Sequence, residues 1–152
     1  MDLLADDPLG ATREIAERPV HQRYLDAFKA IEADPNNELL VAARAGQIVG
    51  VCQMTFIPSL TYTGSWRALI EGVRIGAEAG SQGLGKAMVK LAISRAHERG
   101  CRLVQLTTDK SRPAAKRFYQ SLGFIDSHDG MKMLLEREAA TISGVTGPTP
   151  SL

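Results

Sequence analysis

The 152-residue chain sets 18 lysines and arginines against 17 aspartates and glutamates, for a formal charge of +1. So even a balance excludes a global electrostatic footprint for nucleic acid or an anionic membrane, and any anion must be bound locally. The length predicts a single domain over 1–138, no run of about eighteen apolar residues is present to span a bilayer, and the acidic opening MDLLADDPLG is unlike a signal peptide, so a cytoplasmic protein is expected.

In chain order, residues 24–33 place Tyr24, Leu25, Phe28 and Ile31 on one side at helical spacing, and DPNN ends that helix with proline and turn formers. The run ELLVAARAGQIVGVCQMTF predicts two strands, 38–44 and 47–56, turning tightly at Ala45-Gly46 as an antiparallel hairpin. After a loop rich in Ser, Thr, Pro and Gly, WRALIEGVRI is a third strand. A regular pleat would project Leu69, Glu71, Val73 and Ile75 to one face, while Gly72 in the middle hints at a bulge. Over 84–99 the residues Leu84, Ala87, Met88, Leu91, Ala92 and Ala96 keep a helical period, with Gly100 as the stop. CRLVQLTTD is a strand, Pro113 opens a helix running to about Ser121, and LGF leads to a last strand near 131–135. From Ala139 the segment AATISGVTGPTPSL has no period and reads as a mobile tail, 139–152. Cys52 and Cys101 fall inside apolar strand runs and no Cys/His pair has zinc-ligand spacing, so free thiols and no metal are expected.

The chemistry concentrates in GSQGLGKA, residues 80–87. A glycine-rich turn between a strand and a helix presents backbone N–H groups at the positive end of the helix dipole, a ready site for a pyrophosphate. The spacing G-x-x-x-x-G-K suggests an ATP loop, but Ala87 lacks the hydroxyl that would hold Mg²⁺, and an antiparallel hairpin precedes the loop where a parallel sheet would be needed. A dinucleotide fingerprint fails as well, because its third glycine would fall at Met88.

IEGVRI with GSQGLGKAMVKLAISRAHERG, followed by CRLVQLTTDKSRPAAKRFYQSLGF, resembles the GNAT superfamily of acyl-CoA-dependent N-acetyltransferases over roughly residues 39–135. The resemblance implies an α/β (α+β) fold, a mixed and mostly antiparallel central sheet flanked by helices. It also implies acetyl-CoA as cosubstrate and a small-molecule or peptide amine as acceptor. By the same resemblance, the amides of Gln82, Gly83, Leu84, Gly85 and Lys86, with Gly80 and Ser81 opening the loop, would cradle the pyrophosphate. The strand Val73, Arg74 and Ile75 would bind the pantetheine arm. Arg112 and Lys116 would lie where adenine and phosphates pass. Glu71 corresponds to the family's usual base, acting through water, unless a bulge at Gly72 turns it outward or Arg67 or Arg44 neutralises it; Tyr119 corresponds to the acid that reprotonates the thiolate, or else is an aromatic packing on the sheet.

Three positions depart from the family pattern: Gly80 where Arg or Gln is usual, Ser81 where glycine is usual, and Arg112 where Asn is usual. With these, an inactive coenzyme-binding or sensory module is the alternative reading. The family's strand before the first helix is also missing, so either the start lies upstream or a sheet edge is left unpaired, which would invite a second copy as a homodimer. Asp109 is expected as a helix cap or turn former, and Trp66 and Tyr62 either wall the acceptor pocket or pack beside it.

Overall fold

The computed structural model describes residues 2–6, 10–80, 83–133 and 135. The expected tail at 139–152, and Ser81 and Gln82 of the loop, lie outside them. Among the described residues ten elements follow in order: α1 (Asp2–Ala5), α2 (Gln22–Ala33), β1 (Asn37–Arg44), β2 (Gln47–Pro58), α3 (Thr61–Gly64), β3 (Trp66–Ile75), α4 (Ala77–Gly80), α5 (Leu84–Glu98), β4 (Cys101–Leu106) and α6 (Pro113–Gln120). The sheet order is β1-β2-β3-β4, antiparallel except for the parallel pair β3 and β4, which α5 connects. This is the mixed, mostly antiparallel sheet flanked by helices that the sequence predicts. Among the described residues β1 has no partner on its outer edge.

The hairpin turns where Ala45 and Gly46 both adopt positive φ (47° and 78°), the backbone sense that matches strand twist. Alternation then builds the core. Cys52, Met54 and Phe56 of β2 and Ala68 and Ile70 of β3 are buried against Met88, Ala92 and Ala96 of α5. The stripe on α5 differs from expectation: Val89 is fully buried, whereas Leu91 is half exposed and Ala87 faces out. Spacings of three and four from Met88 and Val89 to Ala92 and Ala96 place the inward face one residue round from that estimate. Two further contacts fix α5 across the sheet. Arg95 holds the Glu38 carboxylate of β1 with two nitrogens, at 2.9 and 3.0 Å. Arg99 stacks 4.4 Å over the Phe56 ring.

The last predicted strand is not present among the described residues of 131–135: residues 131–133 and 135 carry no strand pairing. Met131, Met133 and Leu135 are 96%, 85% and 84% exposed. Alternating apolar residues give a strand its pattern, but pairing needs a ladder, and none is formed here. On α2 the predicted apolar side is partly covered, with Tyr24 and Ile31 half-buried and Leu25 and Phe28 exposed. The Tyr24 hydroxyl ties the helix to the segment before it, donating to Glu14 and accepting from the Ile15 amide, both at 2.8 Å.

Candidate active site

Strand β3 carries the first feature of the site. Val51 pairs with Arg74 and Gln53 with Glu71, so on β3 the two residues Gly72 and Val73 face the single residue Cys52. This is a β-bulge, and Gly72 meets it with φ +59°, a conformation open to glycine. The extra residue reverses the side-chain phase. Ala68 and Ile70 point to α5 before the bulge, and Val73 and Ile75 pack on the same core after it. Glu71 is therefore parted from Val73 and Ile75, contrary to a regular pleat, and its side chain is exposed rather than set among apolar groups. Interrupting the ladder here also leaves backbone groups of the bulge without their usual cross-strand partners.

Close to this bulge lies the N-terminus of α5. Gly83 is its N-cap, left-handed at φ +74°, with no side chain capping the helix and no acidic residue in the first turn. The opening amides of a helix lack partners within it and face the positive end of its dipole, so the amides of Leu84, Gly85 and Lys86 are open to an anion. A side chain on Gly85 would touch Ile75 of β3 and Phe118 of α6 at 3.6 and 3.7 Å, so strand, loop and helix α6 converge on this point. Gly80 ends α4, the one-turn helix that leads into the loop.

Helix α6 starts at Pro113, after Arg112 as N-cap, and carries Tyr119 inward. The Tyr119 ring packs edge-on against Phe118 (5.1 Å) and Phe124 (5.8 Å). Burial, with the Cys52 thiol adding to it, pushes the Tyr119 hydroxyl above its usual 10, although Arg112 and Arg74 pull the other way. The phenol is thus a proton donor throughout the neutral range. Burial likewise pushes the Cys52 thiol up to about 11. Lys116 is exposed on α6 and ion-paired with Asp126, which holds that carboxyl below its ordinary value. Asp109 accepts from the Ser111 hydroxyl (2.6 Å) and amide (2.9 Å), which makes it a turn former. Trp66 stands at the far end of β3 from the loop, lining a cleft of about 340 Å³ with Pro35, Asn36 and Arg99. The Tyr62 ring instead lies 6.0 Å from the Arg102 guanidinium.

Of the features expected from the sequence, the bulge at Gly72 is present in the structure. Sequence reasoning missed Cys52 as the residue facing the bulge, which cross-strand register alone reveals.

A bulged strand, a helix start with no side-chain cap and the half-buried Tyr119 phenol are thus the features this end of the sheet brings together. The chain belongs to the Acetyltransferase (GNAT) family, whose profile matches residues 4–124. It is 29% identical over 108 residues to the aminoalkylphosphonate N-acetyltransferase of Salmonella typhimurium, a match covering 71% of this chain and 70% of that protein. Its structure superposes with a TM-score of 0.85 on a transcriptional regulator from Bacillus halodurans, 57% identical, covering 88% of this chain and 89% of the other. It also superposes at 0.72, with 18% identity, on glucosamine-6-phosphate N-acetyltransferase from Arabidopsis thaliana, covering 84% and 86% of the two chains, a likeness of fold. No helix among the described residues is long and apolar enough to cross a membrane.

Proposed function

We propose that this acetyltransferase takes acetyl-CoA as cosubstrate and passes the acetyl group directly to a primary amine. The observation that carries the reading is the meeting of the Gly72 bulge, the uncapped start of α5 and the Tyr119 phenol. The open amides of α5 suit the pyrophosphate, and the strand Val73, Arg74 and Ile75 suits the pantetheine amides. A backbone N–H released by the bulge would stabilise the tetrahedral oxyanion. Glu71, exposed on the opposite face beside the bulge, would accept the proton of the ammonium through water. The amine then attacks the thioester carbonyl, the C–S bond breaks, and Tyr119 gives its proton to the departing thiolate.

Cys52 supports transfer without an acyl-enzyme. At a pKa of about 11 only on the order of one thiol in ten thousand is ionised at pH 7, and the side chain is fully buried. The name of the Salmonella relative directs the acceptor search first to aminoalkylphosphonates.

A second reading draws on the Bacillus halodurans relative, a transcriptional regulator: a coenzyme-binding sensory module without turnover. Thiol release from acetyl-CoA, followed across a panel of primary amines, separates the two. Amine-dependent release supports the enzyme, while saturable acetyl-CoA binding with no release above background supports the sensor.

A further inference from the structure

Cross-strand register fixes which residues share a face of the sheet. Cys52, Met54, Phe56, Ala68 and Ile70 point to α5, so Gln53, Thr55, Leu69 and Glu71 occupy the other face, together with Arg67, which pairs with Ile57. Gln53 stands directly opposite Glu71. From β1, the side-chain oxygen of Asn37 accepts from Thr55 Oγ1 at 2.8 Å and from Gln53 Nε2 at 3.4 Å. This face therefore presents a row of polar groups to one side of Glu71, already ordered by their own hydrogen bonds.

Arg67 stands apart from that network. It lies on the same strand and face as Glu71, four residues earlier, which is about 13 Å along an extended strand. Its side chain is half-buried, and its Nε is buried with no hydrogen-bond partner among the described residues. Buried donors are nearly always paired, because leaving one unmade forfeits its hydration. Arg74, beyond the bulge on the cofactor side, is engaged differently: its Nη1 donates to the Val73 carbonyl at 2.9 Å. Glu71 and Arg67 thus share one face of β3, with Leu69 between them. Both are long, flexible side chains that can reach toward each other across part of that distance. What fits between them is a small molecule with a positive and a negative end separated by a few bonds.

We propose that Arg67 is the specificity-determining residue for the acceptor, binding an anionic group of an amine whose nitrogen lies at Glu71. The inference rests on the transferase reading above and deepens it: the acceptor is a zwitterionic amine carrying a phosphonate or a carboxylate. A planar guanidinium binds either through two parallel N–H donors, which a lysine cannot reproduce.

The test uses the full chain and four amines: 2-aminoethylphosphonate, β-alanine, n-propylamine and 1,3-diaminopropane. kcat/KM is measured for the wild type, Arg67→Gln and Arg67→Lys, and calorimetry follows 2-aminoethylphosphonate binding to the CoA-saturated protein. A circular-dichroism melt confirms that each variant folds. The wild type is expected to favour one of the two anionic amines, and which one leads distinguishes phosphonate from carboxylate. Arg67→Gln should lower the ratio of anionic to neutral turnover by at least about 10-fold, mainly through KM, with Arg67→Lys in between. An unchanged ratio in Arg67→Gln overturns the proposal, as does a wild type that prefers n-propylamine or fails to bind either anionic amine. Binding of 2-aminoethylphosphonate that Arg67→Gln weakens, without thiol release from any amine, would uphold the anchor and refute the transferase reading instead.

Discussion

Replacing Tyr119 by phenylalanine removes one oxygen and keeps the ring. The edge-on contacts to Phe118 and Phe124, at 5.1 and 5.8 Å, involve the ring alone and persist in the variant. Stability is therefore expected to change little, while the proton that the hydroxyl supplies to the thiolate is lost. General acids of this kind contribute enough that kcat should fall by about 10- to 1,000-fold, or roughly 1.4–4 kcal/mol of transition-state stabilisation. KM for acetyl-CoA should hold, because the phenol acts on the leaving sulfur rather than on cofactor binding. The pH profile gives an independent check. Burial raises the hydroxyl above 10, so the wild-type rate attributable to this acid stays level through neutral pH and declines above 10. The phenylalanine variant should lack that alkaline decline. The same shift acts on stability: the protonated phenol's contribution is complete below about pH 10 and is lost as the pH rises through the folded value. Steady-state thiol release from pH 6 to 11, with a thermal melt of each protein, measures all of this. A variant with the wild-type rate and an unaltered profile would refute the assignment and leave Tyr119 as packing.

Other consequences are equally specific. Gly72→Ala puts a side chain at φ +59°, where nothing lies within 4 Å of the new carbon, so the cost is backbone strain of about 1–2 kcal/mol in a urea melt. The same variant should weaken acetyl-CoA binding as the bulge relaxes, and unchanged affinity would detach the bulge from the cofactor. Cys52→Ala should leave transfer active, and native Cys52 should resist iodoacetamide at pH 7 because its thiol titrates near 11. Gly80→Arg restores the charge usual in the family and should tighten acetyl-CoA, read as a lower dissociation constant by calorimetry; no improvement would count against a weakened phosphate site.

Much of this was legible in the chain because periodicity and turn chemistry are local. Trp66–Ile75 and the helix at Leu84 were fixed by alternation and by 3.6-residue spacing, and the hairpin by Ala45-Gly46. Gly72 announced a bulge that could turn Glu71 outward, yet which way Glu71 faces was not settled by the sequence. Whether one inserted residue parts Glu71 from Val73 depends on the register with Cys52, a contact between residues distant in sequence. For the same reason the unpartnered nitrogen of Arg67 carries no sequence signature. The pattern at 131–135 misled because alternation describes a strand's faces and says nothing of whether a neighbour supplies the ladder.

The central claim is direct transfer from acetyl-CoA to an amine, and a rapid-quench single turnover tests it. The protein is mixed with radiolabelled acetyl-CoA and 2-aminoethylphosphonate, and the label on amine and on intact protein is followed in time. The account predicts label moving to the amine with none on the protein at any time. Label passing through Cys52, or remaining wholly on the coenzyme with every amine tried, would contradict it.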